Sequence, residues 1–126
     1  GAVSAQSLAS GDGYVEFTAS ETTTFRMLGL SKGDTDQNYT DVDFAIYPAA
    51  GGTLYVYEKG VSRGTFGSYV TGDKLRVAVE GGVVRYRRNG AALYTSTTPP
   101  SYPLLVDTAL YSQGATINSA VVGGAW

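Results

Sequence analysis

The chain has no cysteine and no histidine. Without thiols, a disulfide framework, a zinc–thiolate site and a cysteine nucleophile are all excluded. Without imidazole, the usual general base, the commonest transition-metal ligand and every Ser-His-Asp mechanism go as well. Lysine and glutamate are scarce, at three and four residues, and methionine and tryptophan occur once each. Helix formers are thin outside alanine, and no segment sustains a 3.6-residue apolar period. No apolar run approaches the roughly 18 residues of a helical membrane span, so no membrane partner is expected. Positive charge is also short: the net charge is −2 and the pI about 4.9. Arg85, Arg87 and Arg88, with Lys74 and Arg76 nearby, form the only basic cluster. Strand alternation splits such residues between two faces, so no nucleic-acid partner is expected.

What the chain does have is 17 glycines, 10 tyrosines and many valines and threonines. At 126 residues it is expected to form one β-sandwich module spanning 1–126, with a core large enough to need no metal or disulfide. Its abrupt ends at Gly1 and Trp126 suggest a module excised from a larger multidomain protein. Between Tyr69 and Ser96 lie three strand-like runs, KLRVAVE, VVRYRR and ALYTS, joined by Gly81-Gly82 and Asn89-Gly90. Those pairs supply the positive φ angles of tight hairpins, so the segment reads as an antiparallel meander.

Ten strands are expected: Gly13–Ala19, Thr23–Ser31, Val42–Pro48, Thr53–Glu58, Ser62–Phe66, Lys74–Glu80, Val83–Arg88, Ala92–Ser96, Leu104–Tyr111 and Thr116–Val122. So many short strands in one small domain predict an all-β, antiparallel two-sheet sandwich. Alternation assigns the faces. Val42, Phe44 and Ile46 point to the core, and Asp41, Asp43 and Tyr47 point away. Leu54 and Val56 alternate with Tyr55 and Tyr57, and Leu75, Val77 and Val79 with Arg76, Ala78 and Glu80. Leu104–Tyr111 is nearly continuous in apolar residues and reads as a strand buried on both faces.

Tyr69, Gly72-Asp73, the run LRVAVEGGVVRYRRNG and the later LLVDTALY occur in an order that resembles the concanavalin A-like superfamily. SPRY-like and laminin-G-like domains are the most similar branches, and the match is most specific from Tyr69 to Gly90. The chain is similar also to jelly-roll carbohydrate-binding modules of bacterial surface proteins and polysaccharide-degrading enzymes. The resemblance implies a jelly-roll sandwich that recognises glycans or protein surfaces, outside the cell or on its surface. It carries over no binding residue, and it implies that the Gly, Asp and Asn positions of the shared core are structural.

Tyr47, Tyr55 and Tyr57 are expected to share one outward face of adjacent strands. Ring faces cover the apolar C–H face of a pyranose, and such a patch is unusual on a surface. The same rings could instead form ordinary cross-strand pairs. Asp41, Asp43 and Arg88 are candidates to orient sugar hydroxyls. Asp34, Asp36 and Asn38 place oxygens at alternate positions, as at the start of a calcium loop. Tyr39 and Ala45 stand where an EF-hand requires Gly and Glu, so that motif is excluded. Calcium is therefore a candidate ligand but no cofactor is required.

Catalysis has little support. The Glu-x-Asp-x-x-Glu strand motif typical of glycosidases in the superfamily that the chain resembles is absent, and Glu16, Glu21, Glu58 and Glu80 are dispersed. Asp107, a carboxylate in an apolar strand, reads as a structural acid or a hydrogen-bonder to a ligand. The leading reading is a non-catalytic carbohydrate-binding module. It would bind a plant or cell-wall polysaccharide of β-glucan type and tether a covalently linked catalytic or surface domain. The alternative is a protein-recognition or adhesion module of a bacterial surface protein. A structural spacer is the third reading, should the outer tyrosines be buried.

Overall fold

The computed structural model describes the chain except residues 1, 20, 23, 33–41, 101, 111–117 and 125–126, and except the side chains of 2–6, 108–110 and 118–120. Its strands are β1 (Ala2–Leu8), β2 (Gly13–Thr18), β3 (Arg26–Ser31), β4 (Phe44–Pro48), β5 (Thr53–Glu58), β6 (Val61–Ser68), β7 (Lys74–Glu80), β8 (Val83–Arg88), β9 (Ala91–Thr95), β10 (Leu104–Leu110) and β11 (Asn118–Gly124). No helix occurs among the described residues. All ten expected strands are present, and β1 is added to them.

The strands form two antiparallel sheets. One has six strands in the order β1-β10-β3-β4-β5-β6, the other five in the order β11-β2-β7-β8-β9. Three hairpins set much of the register. Their turns are Lys59–Gly60 (φ 51° and 80°), Gly81–Gly82 (61° and 79°) and Asn89–Gly90 (50° and 85°). Paired positive φ angles match the twist of the flanking strands, which is why two-residue connections suffice. The pairings of the four edge strands, β1 with β10, β6 with β5, β11 with β2 and β9 with β8, each contain a register shift. Among the described residues the interior pairings run without one.

Alternation builds the core. Val15, Phe17, Leu75, Val77, Val79, Val84 and Tyr86 from the five-stranded sheet meet Leu28, Leu30, Phe44, Ile46, Leu54, Val56 and Leu104 from the six-stranded one. Each aliphatic side chain removed from water contributes about 1.5–3 kcal/mol. Strand β3, not β10, is buried along its whole length; β10 lies between β1 and β3, with Leu105 and Val106 half-buried. Val42 also departs from the alternation. A bend at Asp43 turns it to the outer side, where it packs with Met27 and Ala45.

The segment from Tyr69 to Gly90 contains a structural lock. Tyr69 is buried; its hydroxyl donates to the Ala49 carbonyl at 2.8 Å and accepts from Arg26 Nη1 at 3.0 Å. Asp73, 7% exposed, caps the turn that follows. Its Oδ2 accepts from the Val70 amide (2.9 Å) and Arg88 Nε (2.7 Å), and its Oδ1 from Asn89 Nδ2 (3.0 Å). Asn89 Oδ1 in turn accepts from the Lys74 amide at 2.9 Å. One carboxylate thereby ties the start of β7 to the β8–β9 hairpin.

Burial pushes the Asp73 carboxyl up, but the bonds from Asn89, Val70 and Arg88 outweigh it and hold the group below its ordinary value. A carboxyl depressed in the folded state contributes stability that is present above its unfolded value, near pH 4, and lost as pH falls through the folded one. Asp73→Asn is therefore expected to destabilise the fold most at neutral pH. The gap in urea midpoint between parent and variant should narrow as pH drops from about 6 to about 3. A gap that stays constant over that range would show that the charge contributes nothing.

Candidate functional site

The outer face of the six-stranded sheet carries an aromatic cluster. In the β4–β5 register Tyr47 lies opposite Tyr55 and Ala45 opposite Tyr57. Tyr47, Tyr55 and Tyr57 are therefore brought onto one face, each half-buried. Ring centroids are 5.4 Å apart for Tyr47–Tyr57, 5.9 Å for Tyr47–Tyr55 and 6.3 Å for Tyr55–Tyr57, with interplanar angles of 41–58°. The rings form a tilted triangle and not a flat row. Phe25, 42% exposed, stands edge-on to Tyr47 at 6.1 Å and 85°. Beneath them Met27, Val42 and Ala45 form a buried apolar floor against which Tyr47 and Tyr57 pack.

Edge and tilted contacts of this kind add about 0.5–1.5 kcal/mol each beyond area burial, so the rings hold one another in place. Burial, then the neighbouring phenols of Tyr57 and Tyr55, raise the Tyr47 hydroxyl above its ordinary value. It therefore stays protonated at neutral pH and can donate as well as accept a hydrogen bond. The sequence reading places Phe25 inside the expected strand Thr23–Ser31 without singling it out as a candidate; β3 itself begins one residue later, at Arg26.

Asp107 lies on the same face, 1% exposed, opposite Gly29 in the β10–β3 register. Gly29 pairs with Ala45 and Ala45 with Tyr57, so Asp107 and Tyr57 occupy one row across the sheet. Three strand spacings of ~4.8 Å put their backbones about 14 Å apart. The residues between them are a glycine and an alanine, which leaves the middle of the face low.

Asp43 does not join the tyrosines. The bend before β4 turns it toward one end of the sandwich, where it accepts from the Lys32 amide at 3.2 Å. There it lines a cavity of about 290 Å³ together with Glu58, Lys59 and Arg63. Arg88 is in neither place. Strand β8 belongs to the five-stranded sheet, and the Arg88 guanidinium is tied to Asp73 at 2.7 Å. Asp41, and the oxygen-bearing Asp34, Asp36 and Asn38, lie outside the described residues. Among the described residues no group of three or more acidic residues could hold a metal ion.

The remaining arginines share the outer face of the other sheet. Arg76 lies over the Tyr14 ring at 3.7 Å and pairs with Glu16 at 2.9 Å. Arg85 and Arg87 both reach Glu80, at 3.4 Å and 2.7 Å. The bonds from Arg87, against burial, hold the Glu80 carboxyl below its ordinary range. Three arginines meet two carboxylates there, so these five groups leave a single net positive charge and the face is not a basic patch.

No protein-family model and no curated protein sequence matches the chain. Solved structures do match it. Alginate lyase AlgAT5 from polysaccharide lyase family 7 superposes with a TM-score of 0.62 at 17% identity, over 94% of this chain and 62% of the lyase. This chain thus spans about six-tenths of that enzyme's length. A variant of human galectin-16 gives a TM-score of 0.60 at 16% identity, over 94% of this chain and 91% of the galectin. The alginate lyase AlyA1 from Zobellia galactanivorans gives 0.53 at 17% identity, over 94% of this chain and 64% of its own. At such identities the likeness is one of fold: a jelly-roll sandwich of concanavalin A-like type. Lyases and galectins both carry this fold, and it is the site that decides function.

Proposed function

We propose that this concanavalin A-like sandwich is a non-catalytic carbohydrate-binding module, with its site on the aromatic face of the six-stranded sheet. The observation that carries the reading is the cluster of Tyr47, Tyr55, Tyr57 and Phe25, part-exposed on an apolar floor. Aromatic faces cover the C–H faces of pyranose rings, and phenol hydroxyls exchange hydrogen bonds with sugar hydroxyls. The galectin among the structural neighbours is consistent with that chemistry. The ligand proposed is a plant or cell-wall polysaccharide of β-glucan type. The module would act outside the cell or on its surface, tethering a covalently linked catalytic or surface domain.

Binding without catalysis fits the ionisable groups. The lyase neighbours raise the reading of an enzyme, and elimination or hydrolysis needs a base at the reacting carbon. Tyr47 is held protonated, Asp107 sits about 14 Å of backbone away from Tyr57 across three strand spacings, and the chain has no histidine. A glycosidase needs two carboxylates on one cleft, and the described face offers one. A contact of this size is small and wet, so affinity for one polymer chain should be weak.

The test is affinity gel electrophoresis against soluble cellulosic, mixed-linkage, β-1,3-glucan, xylan, xyloglucan and mannan polymers. The parent should be retarded by at least one of them. Tyr55→Ala and Tyr57→Ala should each weaken retardation about tenfold, which corresponds to ~1.4 kcal/mol. EDTA in the gel tests Asp34, Asp36 and Asn38: loss of retardation would add calcium to the site. Retardation unaffected by the tyrosine variants would sink the aromatic-face reading. No retardation on any polymer would favour a protein-recognition or adhesion module.

A further inference from the structure

The cavity at the end of the sandwich is separate from the aromatic face and built differently. Its inner wall is Glu58, 4% exposed, at the end of β5. Glu58 Oε2 accepts from the core hydroxyl of Tyr86 at 2.9 Å and Oε1 from Arg63 Nε at 3.2 Å. Packing alone would be served as well by an apolar side chain, because a buried carboxylate carries a desolvation penalty. Here it fixes the Arg63 guanidinium by one nitrogen. The two Nη groups of Arg63 have no partner among the described residues.

Lys59 stands at the mouth, in the turn between β5 and β6. It has φ 51°, a left-handed conformation that disfavours lysine. The equivalent turn position between β8 and β9 is Asn89, a residue suited to that geometry. Strained backbone of this kind concentrates at sites of function. The Lys59 ammonium makes no hydrogen bond or ion pair among the described residues, and the Asp43 carboxylate opposite accepts one backbone amide. Val61, 54% exposed, and Pro99 supply apolar walls.

The pocket therefore offers two acids, two bases and an apolar flank, with no net formal charge. A neutral polyol ring fits that set: its hydroxyls need acceptors and donors together, and its C–H face needs an apolar wall. At about 290 Å³ the cavity lies at the small end of ligand sites, and Glu58 closes its inner side. We propose that this pocket binds a single neutral pyranose ring, the terminal residue of a glycan chain. The proposal deepens the glycan-binding reading and rests on it for the choice of ligand, but it uses different residues.

The experiment is a titration of backbone amide shifts in the ¹⁵N-labelled chain with glucose, mannose, galactose and xylose. At least one sugar should move the amides of Asp43, Lys59 and Arg63 in a saturable way. A soluble β-glucan, with few ends per unit mass, should move them at most about one-tenth as far at equal mass. Lys59→Gly removes the ammonium while relieving the turn, so its melting temperature should equal or exceed that of the parent. Its titration should weaken at least tenfold. The proposal is overturned if no sugar moves these amides, if Lys59→Gly titrates like the parent, or if the polymer is as effective as the monomer. Shifts at Tyr47, Tyr55 and Tyr57 report on the aromatic face separately, so the failure of either site is visible on its own.

Discussion

Gly29→Ala is expected to remove about 3 kcal/mol or more of folding stability, among the largest effects for so small a change. Gly29 sits in the middle of β3, paired to Asp107 on one side and Ala45 on the other. A Cβ built there would run into the backbone carbonyl of Phe44 on the neighbouring strand. That carbonyl is main chain, so relief requires moving β4 and with it the floor beneath the tyrosines. Gly90→Ala is the control: it has open space around it and φ 85°, so it carries backbone strain alone. Strain of that kind costs about 1–2 kcal/mol. Urea denaturation of both variants decides the matter. A Gly29→Ala loss no greater than that of Gly90→Ala would mean that the overlap is relieved locally.

Tyr86→Ala is expected to cost about 3–5 kcal/mol, the range for truncating a large buried aromatic residue. Tyr86 is fully buried between the sheets and packs against Tyr94, with ring centroids 5.9 Å apart. Its hydroxyl is the buried partner of Glu58. Burial, then the nearby Glu58 carboxylate, push that phenol well above its ordinary value, so it is a donor at every working pH. Tyr86→Phe separates the two contributions. It keeps the ring and strips Glu58 of one partner, for an expected loss of about 1–3 kcal/mol. Denaturation curves of the parent and the two variants give both numbers. Equal stability of Tyr86→Phe and the parent would show that Glu58 finds another partner once the hydroxyl is gone.

Much of this architecture is legible in the chain because its turns carry their own chemistry. Gly81-Gly82 and Asn89-Gly90 mark hairpins, and the alternation in TLYVYE puts Tyr55 and Tyr57 on one side without ambiguity. The Tyr69, Asp73 and Asn89 pattern is equally plain, and the lock it forms accounts for its spacing. Other features depend on long-range placement. The segment of β1, AVSAQSL, has neither β-branched density nor clear alternation, and it becomes a strand by pairing with β10. Strand β3, RMLGLS, looks half-polar, yet all six residues are buried. Arg26 is tolerated there through bonds to the Thr24 and Glu21 carbonyls and to Tyr69. Arg88 was a candidate because arginine suits hydroxyls, but periodicity cannot say which sheet a strand joins. Asp43 is displaced by a single bend, which alternation has no means of registering.

The register shifts at the four edge pairings bear on how many copies of this protein can share a small space. A straight edge strand is a template for the edge of a second molecule, and a bulge twists that template out of line. In β6 the break is reinforced by Gly64 and Gly67, at φ 116° and 85°. Pairings between interior strands keep a regular ladder among the described residues. Copies crowded along one polymer or across one surface would thus meet through side chains and not through shared sheets. They would remain separately folded at densities where a regular edge would begin to nucleate fibrils.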